Sequence, residues 1–577
     1  MVIFQFDASH KLGKVREVDT RKVSILVNSD EDLRKAKVGQ LVALKLTGAV
    51  EAWLIGIIEK VIKCVSISSM NPDEETETLL EGSTETVVNS VRLTLVGSVK
   101  WDAIKNQSTF SRSLTQVPEI DAECSVLQDK QLEIFMGVIS SEGDKQNSLE
   151  LGRYTIDESA KAYLDGNKLF QRHAALLGST GSGKSWAVAS ILERAAQLPS
   201  SNLIVFDLHG EYKNLSYARH LKVPGPEDLG KAGNGLLYLP YWLLNAVEMQ
   251  SMFIDGSEFS AHNQVTKFQD IVVMNKKKVL SKLNKQDVLN AFTLDSPIPF
   301  DISNVIEELR RLNEEMVPGA AAGKEKKGPF NGDFDRLLIR LDSKLNDRRY
   351  GFLFQAPATE NTYDAMAINI AKLMDYHLDK SQIKVIDFSE VPTDILPVIV
   401  GLVARLIYQV QFWTDHNKRR PLAFICDEAH LYLPKKDGKN PIEQRAIESF
   451  EKIAKEGRKY GVALLIVSQR PSDVSPTVLS QCNNVISLRL TNGDDQSTVR
   501  KLMPESLESL LDTLPIMDIG EALIVGDAVL LPSRIRITPP NEKPLSATID
   551  FWSEWIKKPE NPDFVKAVEN MRKQGRG

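Results

Sequence analysis

The residues best equipped for chemistry lie at 178–185, where the chain reads GSTGSGKS and satisfies G-x-x-x-x-G-K-[ST] in full. Gly181 and Gly183 permit the tight turn that aims backbone N–H groups at phosphates. Lys184 is long enough to reach the β- and γ-phosphates, and the Ser185 hydroxyl suits a Mg²⁺ ligand. Apolar AALL precedes the loop and WAVASILERAAQL follows it, the strand–loop–helix setting such a loop needs. Gly178, Ser179, Thr180, Gly181, Ser182, Gly183, Lys184, Ser185 and the adjoining Trp186 are therefore the candidate nucleotide contacts. ATP and Mg²⁺ are the expected cofactors.

A second element supplies acid. LAFICDE at 422–428 buries a strand and ends on two carboxylates. Asp427 suits the Mg²⁺ ligand, and Glu428 suits the group that orients or polarises the attacking water. The next two residues complete the letters DEAH, but no other DEAH-box helicase motif accompanies them. VFDLHGEY (205–212) ends another strand, which leaves Asp207, His209 and Glu211 either lining the site or merely turning the chain. Lys184 and Glu428 stand much farther apart than the strand–helix–strand units between them need, at about 30 residues each. An insertion at 213–380 accounts for the surplus.

The third element is PIEQRAIESFEKIAKEGRKYG, which runs into VALLIVSQR. Ile442, Ala446, Ile447, Phe450, Ile453 and Ala454 share one helical face. Glu448 with Lys452 and Glu451 with Lys455 are spaced to pair on the exposed face, and Gly461 suits a C-cap. Arg458 and Lys459 then allow two readings. They complement the helix C-terminus, worth tenths of a kcal/mol, or Arg458 reaches a neighbouring copy's γ-phosphate as an arginine finger. Gln469 is placed to sense the γ-phosphate, and Arg470 and Arg489 are rival fingers.

These groups need a scaffold. HAALLG, NLIVFDL, KVIDFS, LAFICDE, VALLIVS and VISLRL are short, β-branched and unalternated, as strands covered on both faces of a parallel sheet are. The predicted class is α/β. Residues 1–150 read instead as short strands closing a small barrel, with NPDEETETLLEGSTE (71–85) a solvated loop. Residues 151–212 and 381–545 form the ATPase core. Residues 213–380 are a helical insertion, broken by a flexible PGAAAGKEKKG at 318–328. Residues 546–577 form a tail.

Composition narrows the class. A hydrophobic share of 42% and a charged share of 26% fit an ordinary globular chain. A net charge of −6 confines any nucleic-acid contact to a local basic lining. The four cysteines form no CxxC pair, which argues for a reducing compartment and against zinc. The N-terminus lacks a signal layout, and ILPVIVGLVARLIYQV reads as too short to span a bilayer. A cytoplasmic protein is expected.

The ordered set RHAALLGSTGSGKS, VFDLHGEY, VIDFSEVP, FICDEAHLYLP, AKEGRKYGVALLIVSQRPSDVSPTVLSQCNNVISLRLTN and PSRIRI resembles the HerA family of hexameric DNA-pumping ATPases, relatives of FtsK. The resemblance implies a HAS-type barrel, a RecA-like P-loop NTPase core with an inserted helical bundle, and a C-terminal strap. It also implies a homo-hexameric ring around double-stranded DNA. Arg458 matches the arginine that acts in trans, and Arg172 matches a second phosphate-facing arginine. Such proteins work with a partner effector, a nuclease or a sirtuin-like NADase docked on the barrel, in DNA-end processing or antiviral defence. Two other functions remain open: an ATP-dependent scaffold that organises its effector without moving DNA, and a protein-remodelling ATPase. No aromatic–hydrophobic pore loop is evident to favour the latter.

Overall fold

The computed structural model describes residues 3–47, 52–68, 84–102, 107–143, 148–231, 233, 235–319, 324–375, 382–435, 441–504, 507–546, 549–558 and 563–574. The chain forms two compact units, one of Met1–Arg194, Gln469–Ser472 and Cys482–Pro540, the other of Ala195–Ser468, Asp473–Gln481 and Asn541–Gly577.

The first unit opens with the expected barrel. Its strands are β1 (Lys11–Asp19), β2 (Lys22–Val27), β3 (Leu41–Lys45), β4 (Ala52–Ser68), β5 (Thr84–Asp102), β6 (Gln107–Ser111) and β7 (Glu123–Val126). The order β2-β1-β7-β3-β4-β5 closes on itself through β5–β2 pairing, and β6 hangs on β5 beyond the ring. Alternation drives closure: in KVSILV every second residue is buried. Val15, Ile25, Val42, Leu54, Leu93 and Val126 fill the interior. Register shifts at Ile55/Gly56 and Ile58/Lys60 bend the long β4–β5 ribbon around the ring. Of the acidic segment 71–85, all but the last two residues lie outside the described residues; Thr84 and Glu85 begin β5.

The same unit carries β8 (Ser148–Tyr154), β9 (Asp157–Asp165), β10 (Ala174–Leu177), β18 (Asn484–Leu488), β19 (Glu521–Gly526) and β20 (Ser533–Ile537). β10 pairs with β18 in parallel, and β18-β19-β20-β8-β9 continue antiparallel. Arg112 ties barrel to sheet by donating to the carbonyls of Gly526 and Val529.

The second unit holds β11 (Leu203–Asp207), β12 (Ala218–Lys222), β15 (Ile383–Asp387), β16 (Leu422–Cys426) and β17 (Val462–Ser468), all parallel in the order β12-β15-β11-β16-β17. All six strands expected from unalternated apolar runs are present, and each pairs in parallel with a neighbour in its own unit. β12 (ARHLK) also joins the sheet, although it falls within 213–380 and has no apolar run. The rest of 213–380 is mainly helical, as the resemblance implied: Ala246–Phe253, Ala261–Lys282, Ile302–Glu314 and Asp335–Asn346 pack through stripes such as Val305, Leu309, Leu337 and Leu341. Of the stretch 318–328, expected to be flexible, residues 320–323 lie outside the described residues, and on either side of them β13 (Met316–Pro318) pairs with β14 (Glu325–Lys327) as a small hairpin.

Two further expectations are corrected. ILPVIVGLVARLIYQV lies in an 18-residue helix, Leu396–Trp413, long and apolar enough to cross a bilayer, so shortness does not exclude it. Most of that helix is buried, and it packs against the helix Pro441–Glu456. Its charge is matched there, because Arg405 donates to both Glu248 carboxylate oxygens at 2.8 and 2.7 Å and to the Leu243 carbonyl. Glu451, expected on an exposed face, is buried; it lies 4.0 Å from Lys455 and accepts from the Ser475 hydroxyl.

Candidate functional site

In the first unit, β10 delivers the chain into the phosphate loop and helix Lys184–Ala196 carries it away. Gly181 (φ 72°) and Gly183 (φ 101°) occupy the left-handed region, which a Cβ would strain. The Ser182 N–H donates to the Ser179 carbonyl at 3.2 Å, and Gly520 N–H donates to Ser182 O at 3.1 Å, bracing the turn from behind. Lys184 is buried, with its Nζ 3.3 Å from the Ser179 carbonyl. Among the described residues the buried Ser182 hydroxyl has no hydrogen-bond partner. A glycine turn between strand and helix, a buried ammonium and an unsatisfied hydroxyl fit a polyphosphate. Gln469 belongs here too, since its Oε1 accepts from the Thr180 hydroxyl at 2.5 Å. Ser185 is half-buried and Trp186 is exposed on the first turn of the helix. Arg172 is ion-paired with Asp527, so a phosphate contact requires it to leave that partner.

In the second unit, β16 is followed directly by Asp427, buried, and Glu428, whose backbone turns left-handed (φ 45°, ψ 44°). The Glu428 N–H donates to Asp427 Oδ1 at 2.9 Å, and His430 Nδ1 lies 3.3 Å from Glu428 Oε2. Burial, with the Glu428 and Glu211 carboxylates nearby, pushes the Asp427 carboxyl up to about 8. A dication relieves that arrangement, so the donor set fits Mg²⁺.

VFDLHGEY resolves into two roles. Asp207 turns the chain: its buried carboxylate accepts from the N–H groups of His209, Gly210, Glu211 and Tyr212 at 2.8–3.3 Å. Glu211 Oε2 is buried with no hydrogen-bond partner among the described residues. Tyr212, which the sequence gave no reason to single out, is wholly buried and donates its hydroxyl to Asp427 Oδ2 at 2.9 Å.

The helix Pro441–Glu456 buries Ile447, Phe450, Ile453 and Ala454, while the side chains of Ile442 and Ala446 lie outside the described residues. A 3₁₀ turn, Gly457–Tyr460, follows, closed by Gly461 in the left-handed region (φ 72°) as the C-cap spacing predicts. Arg458 and Lys459 point to solvent from this turn, which is why charges can precede a buried strand without cost. Arg458 has no ion-pair partner among the described residues. Arg470 is exposed and Arg489 half-buried, with its carbonyl accepting from Ser179 N–H.

Residues 149–407 match the domain family described as Helicase HerA, central domain, and residues 367–539 match Helicase HerA-like C-terminal. The chain belongs to the HerA helicase family. It is thus a P-loop ATPase. Among HerA relatives, the DNA double-strand break repair helicase HerA of Pyrococcus furiosus is 27% identical over 416 residues, 68% of this chain and 69% of that protein. The protein of the same name from Saccharolobus solfataricus is 25% identical over 408 residues, 70% of this chain and 71% of that protein. Among solved structures, VirB4 of Thermoanaerobacter pseudethanolicus has a TM-score of 0.43 at 18% identity, over 68% of this chain and 97% of that one. The bacterial conjugative coupling protein TrwB gives 0.43 at 10% identity, over 72% of this chain and 93% of that one.

Proposed function

We propose that this HerA-family ATPase is a DNA-translocating motor. It works as a homo-hexamer around double-stranded DNA, in the cytoplasm, and drives or regulates a partner effector, a nuclease or a sirtuin-like NADase, held at the barrel. The observation that carries the motor reading is the Asp427–Glu428 pair, two acids kept at the end of a buried strand where burial first, and then the neighbouring carboxylates, raise Asp427. Nothing in the packing of the fold calls for that cost, whereas nucleotide hydrolysis does.

In this reading the 178–185 loop cradles the phosphates, and Lys184 offsets charge on the β- and γ-groups. Ser185 and Asp427 hold Mg²⁺, which when bound supplies charge neutralisation to the transferred phosphoryl group. Glu428 orients the attacking water and draws its proton, steadied by His430. Gln469, through its bond to Thr180, reports whether the γ-phosphate is present. Arg458, exposed on its 3₁₀ turn, completes the pocket of the adjoining copy, and Arg172 contributes after release from Asp527.

The test is Glu428→Gln. The motor reading expects ATP binding and assembly to persist while DNA-stimulated hydrolysis falls by two orders of magnitude or more, on the order of 3 kcal/mol in the barrier. Full biological activity in that variant would favour a scaffold that organises its effector without moving DNA. Purification of the native protein with its bound companions, followed by mass spectrometry, identifies the effector.

A further inference from the structure

The loop that presents Tyr212 is gripped from two sides. Inside, the Asp207 carboxylate gathers four successive N–H groups. Outside lies a segment far away in sequence, Asn541 to Pro544 and Leu545, just before the C-terminal tail. The Leu545 N–H donates to the Glu211 carbonyl at 2.7 Å, and Asn214 Nδ2 donates to the Lys543 carbonyl at 2.6 Å. The Glu542 carboxylate accepts from Ser216 twice, from its N–H at 2.6 Å and from its hydroxyl. These contacts flank Tyr212, whose hydroxyl is the protein donor to Asp427 Oδ2.

This chain of contacts has a direction. The tail beyond residue 545 exposes Ile549, Phe551, Trp552, Trp555 and Ile556, so these large apolar side chains are not held in the core of its own unit. Segment 541–545 is where the chain passes from the body of the unit into that tail. What it meets is the loop that orients Asp427. A single hydrogen bond to a buried carboxylate fixes which lone pairs remain for a metal, and shifting such a partner alters metal affinity by about ten- to a hundredfold.

We propose that Tyr212 is a positioning residue for Asp427, and that segment 541–545 clamps its loop so that the C-terminal tail controls hydrolysis through Glu542, Ser216 and Tyr212. The proposal rests on reading Asp427 as the Mg²⁺ ligand. Tyr212→Phe removes only the hydroxyl and keeps the ring in place. It should raise the Mn²⁺ dissociation constant of the ADP complex, read by electron paramagnetic resonance, and lower kcat about tenfold, with little change in KM for ATP. Glu542→Ala alters neither the phosphate loop nor the Asp427–Glu428 pair. It should speed hydrogen exchange at the amides of residues 209–212 and lower kcat severalfold, yet add nothing further in the Tyr212→Phe background.

Unchanged Mn²⁺ affinity and kcat in Tyr212→Phe would overturn the positioning role. Equal losses from Glu542→Ala in both backgrounds, or unaltered exchange at 209–212, would overturn the clamp. Failure of the underlying reading has its own signature: Asp427→Asn would retain Mn²⁺ binding.

Discussion

Asp427→Asn should make the nucleotide-free protein more stable at neutral and alkaline pH while abolishing its activity. The native carboxyl sits at about 8 against an ordinary 3.8, because burial and two neighbouring carboxylates penalise the charged form. Below pH 3.8 the group is neutral in both folded and unfolded chains and costs nothing. As pH rises from there towards 8 the unfolded chain releases its proton and the folded one does not, so folding stability falls throughout that window. At pH 7 the loss is about 4 kcal/mol, and at pH 5 it is under about 2 kcal/mol. Asparagine abolishes this term, but its amide cannot accept from both Tyr212 and the Glu428 N–H, which returns about 1–3 kcal/mol. The net gain is then about 1–3 kcal/mol at pH 7 and about 2–4 kcal/mol at pH 8, and vanishes near pH 5. Thermal midpoints of parent and variant without Mg²⁺ or nucleotide, from pH 5 to 8.5, measure the difference directly. Adding Mg²⁺ and ATP should stabilise the parent more than the variant, which keeps its phosphate loop but loses a metal ligand. A variant less stable than the parent at pH 8, or offset equally at all pH values, would refute the electrostatic account of Asp427.

Arg458→Ala should abolish hydrolysis, and mixing it with equally inactive Lys184→Ala subunits should restore part of the rate, since some interfaces then hold both groups. No recovery in mixed assemblies would place Arg458 outside the neighbour's pocket. Gly183→Ala, at φ 101°, should cost about 1–2 kcal/mol of stability and weaken ATP binding at least tenfold, read by calorimetry. Wild-type affinity in that variant would show that the loop tolerates a Cβ in its phosphate-facing turn.

The phosphate loop and the acid-bearing strand were legible because each is a local pattern: glycines at fixed offsets, an apolar run ending in charge. The six parallel strands were legible for the same reason, since burial on both faces leaves no polar alternation. β12 was not, because ARHLK at the sheet edge has only Leu221 firmly buried. Glu451 was read as exposed from helical spacing alone. The Ser475 hydroxyl that it meets there is brought back by the chain only after the next strand. Tyr212 escaped for a related reason: its partner Asp427 is 215 positions away. Arg405 looked like an interruption in an apolar run until Glu248, on another helix, supplied its counter-charge.

The left-handed backbone at Glu428 carries one more lesson. Glycine or asparagine would sit there at lower conformational cost, by about 1 kcal/mol. Breeding this protein for shelf life or expression yield would therefore drift toward replacing the residue proposed to activate water, and its winners would be robust and inert.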